Sequence, residues 1–184
     1  MELINIPSER VAVLVGSNGE TKRRVERMGG VRLKVGREGE VEIRGKDSYG
    51  EWRAKEVVRA IGRGFSPDKA TKLFDEDYYF KVIDLKDILG SDKDVVRTKG
   101  RIIGEGGKAR RIIEELSEAD LCIYGNTVAI IGRLAELSLA EEAVSALIRG
   151  ASHTRVWSIL EKGRRRLKEE RARLWEASGE HVRG

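Results

Sequence analysis

One pattern runs through this chain twice in the same order, so any fold must be able to hold it twice. Gly16-Ser17-Asn18-Gly19 and Gly104-Glu105-Gly106-Gly107 lie 88 residues apart. At that offset Lys22, Arg23, Val25, Glu26 and Met28 fall on Arg110, Arg111, Ile113, Glu114 and Leu116. Val41 to Gly45 falls on Val128 to Gly132 at an offset of 87. Glu56, Val58, Ala60, Ile61, Arg63 and Gly64 fall on Glu142, Val144, Ala146, Leu147, Arg149 and Gly150 at an offset of 86. The slow drift is what shortened loops produce. A single match of this kind arises by chance, whereas three in order describe a repeat.

The elements of one copy can be read from its periodicity. Leu3 to Ile6 alternates as a strand, and Pro7 with Ser8-Glu9 opens a helix. A basic helix follows the glycine turn from Glu20 to Met28 and stops at Gly29-Gly30. Val31, Leu33 and Val35 alternate with Arg32 and Lys34 as a half-buried strand, and Val41 with Ile43 marks another. Trp52 to Ile61 reads as the closing helix. In the second copy Tyr78 to Leu85 is the first strand and Val95 to Ile103 the first helix, with Lys86 to Asp94 a longer connection that the first copy lacks. Phe65 to Asp77 joins the copies through a short helix begun at Ser66-Pro67, and it fixes no orientation between them. A last helix runs from about Ser152 to Ala177. Its apolar stripe of Val156, Leu160, Gly163, Leu167 and Leu174, with Trp157 and Trp175 near the ends, should pack on the second copy.

The fold class is therefore α+β. Residues 1–64 and 78–150 are two units of strand–helix–helix–strand–strand–helix, 65–77 is a helical linker, and 151–184 is a basic helix and tail. Charged residues make up 36% of the chain and aromatics 5%, so both cores must be aliphatic. The net charge of +5 and pI near 9.4 favour an acidic partner. Lys162 to Arg173 holds seven basic residues and two glutamates, so that segment alone carries the excess. Its basic face, with Arg164, Arg165, Arg166 and Lys168, suits phosphates and equally suits solvent.

Chemistry concentrates at the glycine turns. Glycine lets another backbone close in because no Cβ intervenes. A helix beginning just beyond the turn aims free N–H groups at phosphate. Together these describe a loop that holds a nucleic-acid backbone. A helix–helix turn with no ligand is the plainer reading, and it weighs more on Gly16–Gly19 than on Gly104–Gly107.

Other functions find little support. Cys122 is the single cysteine, which excludes an internal disulfide, and with His153 and His181 it cannot make a thiolate-rich zinc site. Neither repeat unit holds a histidine, so no nucleophile–base–orienter set forms within one. His153 reads as a capping or packing residue at the start of the last helix. Carboxylates such as Asp75-Glu76-Asp77 end a helix or face solvent. No apolar run approaches the roughly 20 residues of a membrane span, and MELINIPSER has no secretory core. The expectation is a cytoplasmic, non-enzymatic chain with no cofactor, metal, membrane or small-molecule substrate.

The repeated unit resembles the type I KH domain, of order β-α-α-β-β-α with its helices on one face of a three-stranded sheet. The likeness is close at Gly100-Arg101-Ile102-Ile103-Gly104-Glu105-Gly106-Gly107, where a small residue and two apolar residues precede GxxG, with Ile112 or Ile113 beyond. The first copy fits less well, with Ala12 for Gly100 and Leu14-Val15 for the two isoleucines. Ala60 to Leu85, Lys99 to Leu116 and Leu147 to Lys168 make the chain similar to archaeal tandem KH proteins of the Dim/partner-of-Nob family. That resemblance implies binding of small-subunit ribosomal RNA near its 3′ end, help in its processing, and a PIN-domain endonuclease as partner.

In the KH groove about four nucleotides lie between the helix–GxxG wall and a strand. The resemblance implies a second-copy groove of Gly100, Arg101, Ile103, Gly104, Glu105, Gly106, Gly107, Lys108, Arg110 and Arg111, faced by Cys122, Ile123 and Tyr124. The parallel first-copy residues are Ala12, Gly16, Ser17, Asn18, Gly19, Lys22, Arg23 and Leu33. KH loops often place Lys or Arg between the glycines, where this chain has Ser17-Asn18 and Glu105-Gly106. Glu105 repels phosphate, so the grip must come from backbone N–H groups and the flanking positive charge. The first copy could instead serve as a protein-docking surface. Competing functions are a protein-interaction adaptor with weak RNA affinity and a general messenger-RNA-binding regulator.

Overall fold

The structure, a computed structural model, describes residues 1–180. Of the residues weighed for metal binding, His181 lies outside them. β1 (Glu2–Asn5), α1 (Ser8–Val15), α2 (Glu20–Gly29), β2 (Val31–Val35), β3 (Glu40–Gly45) and α3 (Ser48–Gly62) form the first unit. α4 (Pro67–Ala70) and a 3-10 turn over Thr71–Phe74 lead into the second. There β4 (Tyr78–Asp84), α5 (Leu85–Ile88), α6 (Asp92–Ile103), α7 (Lys108–Ser117), β5 (Asp120–Tyr124), β6 (Thr127–Arg133) and α8 (Leu134–Ile148) follow in order. α9 (His153–Glu180) closes the described chain.

Each unit folds its strands into an antiparallel sheet, ordered β1-β3-β2 in the first and β4-β6-β5 in the second. The registers repeat as well, with Leu33 opposite Ile43 and Leu121 opposite Ile130. Helices cover one face of each sheet. Alternation along a strand then decides what the other face must do. In the first sheet that face carries Leu3, Arg32, Lys34 and Arg44, all exposed. In the second it carries Tyr78, Phe80, Val82, Cys122, Ala129 and Ile131, which join the core of the first unit. β6 is thus buried on both sides, with Val128 and Ile130 turned to its own helices.

That double burial fixes the orientation that the linker sequence leaves open. Phe65 meets the edge of Phe80 with ring centroids 6.4 Å apart, and the Arg59 guanidinium lies over Phe80 at 5.5 Å. The buried Arg53 donates to the carbonyls of Leu73 and Tyr78 at 3.1 and 3.3 Å, locking α3 to the start of β4. Gly64, with φ of +100°, lets α3 end against β5: a Cβ there would stand 2.7 Å from Cys122 Sγ.

The repeat extends one helix beyond the sequence alignment. After α3, Phe65 N–H donates to Ala60 C=O at 3.1 Å, and after α8, Ala151 N–H donates to Ala146 C=O at 2.9 Å. Ser66 Oγ then accepts from Lys69 N–H and Ser152 Oγ from Arg155 N–H, capping the next helix in each copy. α4 and α9 therefore begin at equivalent places, Gly64-x-Ser66 and Gly150-x-Ser152.

Several boundaries differ from expectation because side chains cap them. α3 begins at Ser48, four residues before Trp52, because the Asp47 carboxylate accepts from Gly50 N–H at 2.8 Å. α6 begins at Asp92, not Val95, because Ser91 Oγ accepts from Asp94 N–H at 3.1 Å. The extra connection before it is partly helical, as α5. The apolar stripe of α9 also ends sooner than the sequence suggests. Val156 and Leu160 are fully buried, but Leu174 and Trp175 are 71% and 80% exposed. Arg171, paired with Glu118 at 2.7 Å and Glu136 at 2.6 Å, is the last anchor on the body. Beyond it, residues 172–179 of the helix are exposed.

Candidate nucleic-acid interface

The two glycine loops adopt one conformation. Gly16, Asn18 and Gly19 have φ of 72°, 52° and 76°, and Gly104, Gly106 and Gly107 have 73°, 58° and 78°. All six have positive φ: the last two glycine-loop positions of each copy are left-handed, while Gly16 and Gly104, with ψ of 176° and 173°, sit in an extended region open essentially to glycine alone. The first glycine of each loop is also forced by packing: a Cβ on Gly104 would come within 2.6 Å of Ala109 N, and one on Gly16 within 2.8 Å of Thr21 Cβ. The third position is open, since a Cβ on Gly106 would meet nothing within 4 Å. Asn18 occupies the same position in the first copy, as asparagine tolerates this backbone.

Apolar residues before the loop divide between core and groove. Ile102 and Leu14 are fully buried, while Ile103 and Val15 are half-buried beside the loop. Gly100 and Ala12, one turn earlier, are exposed, and a Cβ on Gly100 would meet open space. The small residue keeps this wall low.

Across from it stands an edge strand with an internal partner. Leu121 N–H donates to Glu114 Oε1 at 2.9 Å, and Leu33 N–H to Glu26 Oε1 at 2.8 Å. A carboxylate thus satisfies one outward N–H of each edge. In an antiparallel strand the outward groups recur every second residue. Ile123 and Val35 therefore turn their N–H and C=O to the same free edge, where a base could meet them. Glu26 and Glu114 align in the repeat, but what each holds is set by the fold and not by any local pattern.

Alternation also redistributes the expected strand residues. Ile123 stands on the helix side, half-buried against the second core. Cys122 and Tyr124 point the other way, to the first unit: Tyr124 Oη donates to Glu9, and the Arg10 guanidinium lies 6.0 Å from its ring. Neither side chain lines the groove. Burial pushes the Cys122 thiol above its ordinary pKa, which does not suit a nucleophile. Leu33 is likewise a core residue, 4% exposed and equivalent to Leu121, so Val35 takes the position expected of it.

Arg101 is engaged elsewhere as well. It donates to Leu147 C=O at 3.0 Å and to Ala151 C=O, closing the end of α8. Arg10 does the same in the first unit, at Ile61 C=O and Phe65 C=O, both 2.8 Å. The capped carbonyls are equivalent, but the arginines are not, since Arg10 aligns with Thr98. Helix ends leave such acceptors open, and each copy fills them from a different turn of its first helix. His153 adds to the second closure, with Nε2 2.9 Å from Arg101 O.

The remaining basic residues do flank the loops. Lys108 and Arg111 are exposed beyond Gly107, with Arg111 reaching back to Gly106 C=O at 3.2 Å, and Glu105 is exposed in the loop. Arg110 makes no ion pair among the described residues, whereas its counterpart Lys22 sits 3.9 Å from Glu26. Arg23 lies against Gly19, and Ser17 is exposed. Arg165, Arg166 and Lys168 are exposed on α9 and Arg164 is half-buried. No helix among the described residues is long and apolar enough to cross a membrane, and no three potential metal ligands converge.

A family model for the second KH domain of PNO1, described as a eukaryotic-type KH domain (KH-domain type I), matches residues 79–165. The match covers the second unit and the docked start of α9. KH domain-containing protein MJ0443 of Methanocaldococcus jannaschii is 45% identical over 179 residues, which is 95% of this chain and 79% of that protein. A chain in the solved complex of a/eIF2alpha, aDim2p and rRNA from Pyrococcus horikoshii OT3 superposes with a TM-score of 0.83 at 40% identity, covering 89% of this chain and 93% of that one. The chain belongs to the Dim2/PNO1 family of KH-domain proteins. A more distant relative, the pre-rRNA-processing protein pno1 of Aspergillus fumigatus, is 32% identical over 120 residues. The chain covers 48% of that fungal protein, so its similarity reaches only a part of it. Within this family the second unit's loop, Gly104 to Gly107, lies inside the matched KH domain.

Proposed function

We propose that this chain binds single-stranded ribosomal RNA of the small subunit near its 3′ end and assists pre-rRNA processing and subunit assembly. The observation that carries the reading is the second groove. A left-handed GxxG loop, the low wall at Gly100 and the outward edge of Ile123 stand together in the one unit that the PNO1 model matches. A family relative named for pre-rRNA processing and another solved together with rRNA support the choice of ligand. The Gly106 backbone N–H meets phosphate, Lys108, Arg110 and Arg111 supply charge, and Ile103 and Ile123 flank the bases.

The finer organisation follows from that reading. Residues 1–64 form a second type I KH domain, 65–77 its linker, 78–150 the principal RNA-binding domain, and 151–184 a basic extension whose Arg165, Arg166 and Lys168 add phosphate contacts. The first groove, around Ala12, Gly16 to Gly19, Lys22, Arg23 and Val35, binds RNA more weakly or receives a protein. The PIN-domain endonuclease that trims the RNA end is the expected partner. Because one relative was solved with a/eIF2alpha and rRNA, a translation factor of that kind is a second candidate. The chain acts by binding rather than catalysis, in the cytoplasm of an archaeal cell.

Crosslinking the protein to total cellular RNA and sequencing the attached fragments tests this directly. Reads should gather at the 3′ end of the small-subunit RNA; reads scattered over messengers would sink the assignment. A salt titration on that RNA end should give a log K against log[salt] slope of roughly −0.7 per phosphate contact. A flat slope with weak binding would instead identify a protein adaptor.

A further inference from the structure

The two copies differ beside the loop, on the flank away from the groove. In each, the helix that follows the repeated Gly-x-Ser turn packs near the start of the helix beyond GxxG. In the first copy a polar cluster closes this place: Arg24 donates to Asp68 Oδ1 at 2.5 Å and to Thr71 Oγ1 at 3.2 Å. In the second copy Ile112 replaces Arg24, and His153 and Trp157 replace Pro67 and Thr71. The result is an open, largely apolar cleft of about 220 Å³ between the loop and α9. Gly104, Glu105 and Lys108 form its rim on the loop side, with Ile112, His153 and Trp157 as its walls. The two rings face each other at a tilt of 39° with centroids 5.5 Å apart, and both are half-buried.

We propose that this cleft is a subsite for one unpaired nucleobase of the bound strand, next to the groove on the loop side. The inference rests on the RNA-binding reading above. A strand whose phosphates touch the Gly104–Gly107 loop passes the mouth of the cleft, so a flanking nucleotide need only turn its base over the loop. Ile112 and Trp157 then cover the faces of the base, and Lys108 meets its phosphate. Trp157 supplies a stacking surface of the kind that single-strand binders use without sequence preference. Selectivity comes from Glu105. Its ionised carboxylate only accepts hydrogen bonds. It therefore favours a base with an exocyclic amino group, namely adenine, cytosine or guanine, over uracil, whose single N3–H donor lies between two carbonyls that repel the carboxylate. A carboxylate in a phosphate-binding loop thus serves the base and not the backbone. The first copy, closed by Arg24, Asp68 and Thr71, has no such subsite.

The experiment uses the full chain and an RNA oligonucleotide copying the 3′ end of small-subunit rRNA, with an abasic site placed at each position in turn. Beyond the four groove positions, one further position should lose about tenfold in affinity, within the range for a base stacked on an aromatic ring. In Trp157→Ala that further loss should disappear while the four groove positions keep theirs; Trp157→Phe should preserve it. With Trp52 and Trp175 both changed to Phe, RNA should quench the remaining Trp157 fluorescence, a signal that a purely structural tryptophan would not give. Uracil at the flanking position should bind more weakly than adenine, and Glu105→Gln should narrow the difference. A scan that finds only groove positions, with Trp157 emission unmoved, would overturn the subsite and leave the groove reading intact. Loss of all RNA binding by the unmodified chain would overturn that reading and the subsite with it.

Discussion

The two units share strand order, register, loop conformation and even the carbonyls that an arginine caps, yet one sheet face is dry and the other wet. At equivalent places Leu3, Glu42, Arg44 and Lys34 stand on the first sheet, and Val82, Ala129, Ile131 and Cys122 on the second. An antiparallel sheet may leave one face in water only if that face is polar. The second sheet is too apolar for that, and the first unit covers it. The first sheet is charged and stays open. The asymmetry of the pair begins with these few outward residues.

The largest test of this contrast is stability. Ile131→Ala removes a fully buried side chain between the units and should cost about 2–5 kcal/mol, whereas Arg44→Ala, at the equivalent exposed place, should stay within about 0.5 kcal/mol in urea unfolding. Equal costs would mean that the covered face does not hold the units together.

Next is the loop. Gly106 and Asn18 occupy the same open left-handed position, so aspartate fits either one without a clash. Gly106→Asp should weaken RNA binding by about a hundredfold, since placing like charges together costs several kcal/mol. Asn18→Asp should cost much less. Equal losses would contradict the ranking of the two grooves.

A smaller effect is expected at the capping arginines. Arg10→Met and Arg101→Met each strip the arginine donor from two carbonyls at a helix end, leaving Ile61 and Leu147 C=O with only the N–H of Gly64 and Gly150, and should cost about 1–3 kcal/mol apiece in thermal or urea unfolding. Similar values would show that one task is met from two positions. If only Arg101→Met also altered RNA affinity at matched stability, its side chain would have a role in the groove.

The smallest effect concerns pH. The hydrogen bond from Tyr124 holds the exposed Glu9 carboxyl below its ordinary pKa. Unfolded chains then bind the proton more readily, so the contact stabilises the pairing of the units above the ordinary carboxylate range. That stabilisation fades as pH falls through Glu9's lowered value. Tyr124→Phe should flatten this part of the acid-unfolding profile, and an unchanged profile would show that the contact is idle.

Much of this molecule was legible in the residues themselves. The repeat, the six strands and the glycine loops follow from periodicity and from glycine where φ turns positive, both local properties. Helix starts were placed less well, because Asp47 and Ser91 act as caps only when the chain turns to present an N–H to them. Site residues divided in the same way. Gly104 to Gly107 and the exposed Lys108 and Arg111 stand together between α6 and α7, since neighbours in sequence remain neighbours across a loop. Cys122, Tyr124, Leu33 and Arg101 do not, because which side of a strand or helix a residue serves depends on what packs against each side.

The sequence by itself determined two copies of one fold, a basic final helix and a glycine loop suited to phosphate. Tertiary structure decided that the first unit lies on the second unit's sheet, that Arg101 closes a helix end, and that α9 borders the loop while its tip at Leu174 and Trp175 stays bare. The physical reason is range. Backbone preference and alternation act within a few residues, whereas burial joins surfaces that the chain brings together only after those local choices are made.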